Sequence, residues 1–475
     1  MDTKSQRYDR QLRLWQSHGQ IKLEESSLCL LNSNPLGTEI LKNLVLPGIG
    51  SFTIVDGESA DDVSDFFMQS GHKGKTRAEA SLPFLLELNE EVKGIAVNSN
   101  PSHIIQHEID FFKKFSLVIA TDLEEEDLLK LGEFCYANEI ALVVVRICGF
   151  YGYLRLIIPE LCGNFLFKLL VIETHPDQVF DLRIDLPFKE LQEYVDHFSF
   201  QDLDSQAHGH VPFGVILIKV AQQWKKEFGS LPSTRDEKNE FKERISNLKM
   251  MHSSDSENFD EALSFAYRAW TPSTIPFQIS KLIDDPKTRN LDRKSKPFWI
   301  MVKALSDFVK VHNVLPLSGI IPDMKADTDS FIFLQKLYHS KAKKDVEWIK
   351  VKVYQICDDL GICPEKIPAE LIERFCKNSS CLSIIRTSSL SQEYSYSSEK
   401  SKIFLNYLTE SESHLVYYLL FRSLDKFRSI HHRYPGDHNS NVDSDVGSLR
   451  KCLNGILADF GISSSLVSDD YVQEM

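Results

Sequence analysis

The apolar positions of the first 150 residues switch between two periods. Residues 28–31 (LCLL) form a short apolar run ending in NSNPLG, and TEILKNLVLPG then places Ile40, Leu41, Leu44 and Val45 at helical spacing. Gly48 and Gly50 break that helix, and SFTIVDG supplies a second apolar run closed by Asp56. Strand, turn, helix and strand in this order predict a parallel βαβ unit. SLVIATD (116–122) and IALVVVRI (140–147) read as two further strands, separated by the helical pattern EEEDLLKLGEFCYANE. The expected fold here is doubly wound α/β.

From residue 175 to 440 the pattern changes to long amphipathic helices. FGVILIKVAQQWKKEF carries Val220 and Trp224 on one face, and KPFWIMVKALSDFVK carries Trp299, Val302, Leu305 and Val309. Core packing is the expected role of these residues and of Trp270 and Trp348. Residues 378–402 are rich in serine and charge, so part of this stretch is expected to be a mobile surface loop. LVYYLLFRSLDKF (415–427) returns to a helix, RYPGDHNSNVDSDVG reads as an exposed connection, and SLRKCLNGILADFG as a last helix.

In a doubly wound fold the first strand-helix turn cradles phosphate with backbone N–H groups, using the glycines of G-x-G-x-x-G. The aligned residues here are Asn32, Ser33, Asn34, Pro35, Leu36 and Gly37. Two glycines are replaced by residues with a Cβ, and Pro35 has no N–H to donate. Tight nucleotide binding in this turn is not expected.

Composition narrows the reading further. At 475 residues two or three domains are expected, and 42% hydrophobic with 26% charged residues is ordinary for a folding chain. The 54 basic and 68 acidic residues give a net charge of -14, which disfavours nucleic acid and anionic membrane as partners. The N-terminus has no apolar core of signal-peptide length and no apolar run is long enough for a bilayer, so cytoplasm and nucleus are the expected locations. Nine cysteines (Cys29, Cys135, Cys148, Cys162, Cys357, Cys363, Cys376, Cys381 and Cys452) form no CxxC pair and read as free thiols. Cys357 and Cys363 lie beside aspartates that raise a thiol pKa, and Cys376 has Lys377 beside it but no recognisable partner histidine. His208 and His210 have no third ligand nearby and read as a loop entering a helix.

RYDRQLRLW (7–15) followed by GTEILKNLVLPGIGSFTIVDG (37–57) resembles the adenylation fold of the activating enzymes for ubiquitin and its relatives. The chain is most similar to the regulatory subunits of the heterodimeric neddylation (Rub) activating enzymes, of the plant auxin-resistance type. FLLELN (84–89), HVPFGVILIKVA (210–221), LPSTRDEKNEFKERI (231–245), IPDMKAD (321–327) and RYPG (433–436) extend the likeness over nearly the whole chain. The resemblance implies a Rossmann-like, ThiF-like pseudo-adenylation domain over 1–172. It implies a large, mainly helical inserted domain over 173–440, resembling a catalytic-cysteine domain without the nucleophile, and a truncated return segment over 441–475. It implies a catalytic subunit as heterodimer partner and the Rub/NEDD ubiquitin-like modifier as a second partner. This chain alone then binds no cofactor; Mg-ATP sits in the partner, where adenylation and thioester formation take place.

One contribution in trans is implied. Arg10 matches the family arginine that reaches the partner's ATP phosphates, a role suited to a permanently charged guanidinium that makes bidentate hydrogen bonds. A helix-surface or interface ion pair is the other reading of Arg10. Asp56 matches the acidic residue that holds ribose in active members, although capping a turn explains it equally well. Asp65 and Phe67 stand where active members carry asparagine and arginine, and Arg77 stands for a lysine. Asp122 matches a magnesium-binding aspartate, and among four further acidic residues it reads better as a solvated helix start.

Two departures carry expectations of their own. The chain stops at DDYVQEM where the family continues into a closing segment, which implies weak pairing with the catalytic subunit. LCGNFLFKLL (161–170) is an apolar insert where the family runs straight through. Three other readings stand beside the first: the regulatory subunit of the SUMO-activating enzyme, a truncated isoform that only binds a partner, and a nucleotide-dependent Rossmann oxidoreductase. The large helical middle and the IPDM and LPSTRDE stretches favour neddylation over SUMO activation.

Overall fold

The computed structural model describes residues 6–61, 65–68, 73–160, 180–249, 256–410, 413–437 and 442–474. The chain divides into two compact units, one of residues 1–169 with 384–475 and one of residues 170–383. The first is built on a six-stranded sheet of order β3-β2-β1-β4-β5-β6. Its strands are β1 (Ser27–Leu31), β2 (Ser51–Val55), β3 (Lys93–Val97), β4 (Leu117–Thr121), β5 (Ala141–Cys148) and β6 (Tyr151–Ile157). The first five are parallel, and β6 returns antiparallel to β5. β1 lies between β2 and β4, and Leu28 to Leu31 have no exposed surface, as expected of a central strand covered on both faces.

The RYDRQ, LPG and ELN stretches meet in one place. Tyr8, just before the helix Asp9–Glu24, is buried; its hydroxyl accepts from Asn89 Nδ2 at 3.0 Å and donates to Glu91 Oε2 at 3.4 Å. Asn89 Nδ2 also donates to the carbonyl of Val45 at 2.9 Å, while Gln11 and Gln20 both donate to the carbonyl of Pro47. Gly48 turns the chain at φ 88°, and a Cβ there would stand 2.5 Å from the Tyr8 hydroxyl. Gly48→Ala combines a left-handed backbone with that clash and is expected to cost roughly 2–4 kcal/mol, read from the midpoint of denaturant unfolding.

The second unit is helical, as the periodicity implied. The helix Phe213–Phe228 buries Val220 and Trp224, and Pro297–His312 buries Trp299, Val302 and Leu305. Trp270 meets Phe241 edge-on at 5.7 Å, and Trp348 meets Phe308 at 5.3 Å. The LPSTRDE stretch is a helix start: Thr234 and Glu237 form a capping box at the head of Arg235–Asn247. Hydrogen bonds from the backbones of Thr234 and Ser233 pull the Glu237 carboxyl down to about 2.

Two sequence expectations need correction. The return to the sheet-bearing unit begins at residue 384, not 441, because the helices that follow belong to the sheet. Tyr417 of the helix Leu415–His431 stacks on Tyr151 at 4.5 Å, and Phe421 lies 5.6 Å from Tyr153, so this helix covers one face of β6. The serine-rich stretch is ordered from residue 384 onward and docked on the same sheet. Thr387 exchanges hydrogen bonds with Ile158, Leu390 packs against Gly132, and Ser389 and Ser397 cap the helices Leu390–Tyr394 and Ser398–Leu408. These serines are helix caps, which composition alone does not distinguish from a loop. The insert at 161–170 lies outside the described residues.

Candidate functional site

The first turn of the sheet is closed by its own side chains. Asn32 adopts φ 66° and donates from Nδ2 to the carbonyl of Thr121 at 2.7 Å. Ser33 donates to Asp56 Oδ2 through its backbone N–H at 2.7 Å and its hydroxyl at 3.0 Å. Glu58 N–H donates to Asp56 Oδ1 at 2.9 Å, so this fully buried carboxylate holds the turn together. Asn34 caps the helix Pro35–Val45 by accepting from Gly37 N–H. Gly37 survives for packing: a Cβ there would come 2.7 Å from the carbonyl of Asn32 and 3.1 Å from Leu30. Of the jobs glycines do in such a turn, only close approach of helix to strand remains.

Asp122, at the end of β4, is equally engaged. One carboxylate oxygen accepts from Asn34 Nδ2 and the other from the Tyr434 hydroxyl at 2.6 Å. Arg428 stands 3.8 Å from the same carboxylate, its guanidinium 4.6 Å from the Tyr434 ring centre. Tyr434 belongs to RYPG, and that turn is pinned by a bidentate pair from Arg433 to Asp445 at 2.6 and 2.7 Å. The connection read as exposed is thus tied down at both ends. Burial and the neighbouring Asp122 push the Tyr434 phenol up, so it stays a donor at neutral pH. The solvated helix start expected at Asp122 is instead a carboxylate fixed by three groups. Among the described residues no three His, Cys, Asp or Glu are grouped to hold a metal.

The remaining positions are structural as well. Asp65 accepts from the Thr38 hydroxyl at 2.8 Å and from Phe67 N–H at 2.9 Å, and the Phe67 ring is buried. Arg77 is the first residue of the helix Arg77–Glu87, with its N–H on the carbonyl of Glu58 at 2.8 Å. Arg146 of β5 and Asp425 of the helix Leu415–His431 form an ion pair with both side chains more than nine-tenths buried.

Arg10 differs from all of these. It is exposed on the helix Asp9–Glu24 and has no hydrogen-bond or ion-pair partner among the described residues. Leu14 and Ile21, four and eleven residues on and therefore on the same face, are 64% and 49% exposed. The sequence motif pointed to Arg10; the apolar stripe beside it emerges only once the buried face of the helix is known.

Residues 8–178 match the ThiF family. Over 99% of its length the chain is 39% identical to the NEDD8-activating enzyme E1 regulatory subunit of Xenopus laevis, of which it covers 89%. It is 40% identical to the subunit of the same name from Gallus gallus, covering 88% of it. With the NEDD8-activating enzyme E1 regulatory subunit AXR1 of Arabidopsis thaliana the identity is 36%, over 99% of this chain and 86% of that one. The chain belongs to the family of NEDD8-activating enzyme E1 regulatory subunits. That membership sets aside the SUMO-activating and oxidoreductase readings.

Within this family frame the first turn does not fit ATP. Ser33 N–H and Gly37 N–H are committed to Asp56 and Asn34, Pro35 has none, and the Asp122 carboxylate is occupied. Of the thiols described in the helical unit, Cys357 and Cys376 are buried, Cys381 is half-buried and Cys363 is exposed. Cys376 is wholly buried, and burial with Asp345 and Glu373 pushes its thiol far up; burial and Asp358 raise buried Cys357 in the same way. His208 lies stacked on Phe259 at 4.9 Å, its pKa lowered by burial, while His210 hydrogen-bonds the carbonyl of Gln206 at 2.7 Å. No described helix is long and apolar enough to cross a membrane.

Proposed function

We propose that this chain is the non-catalytic half of a heterodimer that activates the NEDD8 (Rub) modifier, with Mg-ATP, adenylation and the thioester cysteine all in the partner subunit. The observation that carries this reading is the contrast between two sites. The chain's own crevice is lined by Asn34, Asp56, Asp122 and Tyr434, engaged with one another and with the turn, whereas Arg10 stands exposed beside Leu14 and Ile21, without a partner among the described residues. An apolar stripe next to a free guanidinium suits docking on another subunit, with burial of Leu14 and Ile21 holding Arg10 against phosphate. The helix is fixed at its head by Tyr8, so little ordering cost remains for that delivery.

The test is reconstitution. Mixed with the catalytic subunit, Mg-ATP and the modifier, the chain is expected to support a reducible thioester on the partner and none on itself. Absence of any thioester would favour the isoform that only binds its partner. A thioester on this chain would overturn the assignment of roles.

A further inference from the structure

The helical unit contains a half-open pocket of about 360 Å³, within the size range of ligand sites. One wall is the irregular stretch Phe180–Asp185; the others come from Tyr267 to Pro276, Val314 to Ser318 and Lys377 to Ser380. In a chain of net charge -14 its lining is cationic, with Arg183, Arg268 and Lys377 against Asp181 and Asp185. The acids are spoken for: Asp181 pairs with Arg183 at 2.6 Å, and Asp185 accepts from the Ser273 hydroxyl and N–H at 2.6 and 2.7 Å. Among the described residues Arg268 donates to the carbonyl of Phe180 at 2.7 Å, lies 5.6 and 5.7 Å from the Phe265 and Tyr267 ring centres, and has no acidic partner, its Nε being buried without an acceptor. Lys377 is exposed and likewise unpaired among them.

Beside these cations stand the 46% exposed ring of Tyr267 and the prolines Pro272, Pro276 and Pro316. A ligand that matches is anionic and partly apolar. An acidic peptide supplies carboxylates for the cations and a side chain to lie against the Tyr267 ring. We infer that this pocket binds an acidic segment of a partner polypeptide, through Arg268 and Lys377.

The test uses the full chain and a fluorescently labelled ten-residue peptide of alternating Glu and Leu, followed by anisotropy. A peptide with Lys in place of Glu and inorganic phosphate serve as controls. The Glu peptide is expected to bind, and Lys377→Glu, an exposed substitution that leaves the core untouched, to weaken it about tenfold or more. Tyr267→Ser, at the rim, is expected to weaken it as well. Equal affinity in wild type and Lys377→Glu, equal binding of the Lys peptide, or binding of phosphate without binding of the peptide would each overturn the inference.

Discussion

Arg10→Ala is expected to slow thioester formation on the catalytic partner by about 10- to 100-fold, the worth of one or two hydrogen bonds between a guanidinium and phosphate oxygens. The side chain is exposed and has no hydrogen-bond or ion-pair partner among the described residues, so the unfolding midpoint and the amount of heterodimer formed should not change. Arg10→Lys keeps the charge but loses the planar fork, and should recover only part of the rate. Single-turnover thioester assays at saturating modifier, with ATP varied, separate the two contributions. A loss that appears only in heterodimer yield would make Arg10 an interface residue.

The largest effect on stability is expected at Asp425. Its carboxylate is the ion-pair partner of Arg146 on β5, and both side chains lie out of solvent. Arg146 also keeps Nε and Nη2 buried without hydrogen-bond acceptors, and burial lowers its pKa. Asp425→Ala would leave that guanidinium charged and uncompensated, at a cost of about 3–5 kcal/mol. The double variant Arg146→Met, Asp425→Leu removes both charges and should unfold at a higher denaturant concentration than Asp425→Ala alone. Equal midpoints for the single and double variants would show that the pair is not the source of the loss.

Much of this molecule was legible from hydrophobic period. β1, β2, β4 and β5 are internal to the sheet, so burial on both faces writes each as a continuous apolar run. β3 is an edge strand, KGIAV, with Lys93 and Ile95 exposed, and carries no such run; Ile95 at 60% exposure would mislead any burial argument. The replacement of the turn's glycines was equally plain, because it lies in adjacent residues whose conformational needs are known. What surrounds that turn was not. Tyr434 reaches Asp122 across 312 positions of sequence, and the Arg146 pair with Asp425 spans a similar distance. Neither has a local pattern, since side-chain pairing between distant elements leaves no period. The chain boundary at 384 was hidden for a related reason: helices that cover a sheet and helices that form a separate unit share the same 3.6-residue stripe.

We propose one asymmetry between the subunits: a crevice in this chain that takes no nucleotide, and an arginine, Arg10, that serves the partner's. The number of Mg-ATP molecules bound by the reconstituted heterodimer, measured by calorimetric titration in parallel with this chain alone, tests it most directly. One ATP per heterodimer is predicted, with no heat of binding from this chain by itself and weaker binding in the heterodimer carrying Arg10→Ala. Two ATP per heterodimer, or saturable binding to this chain alone, would contradict it.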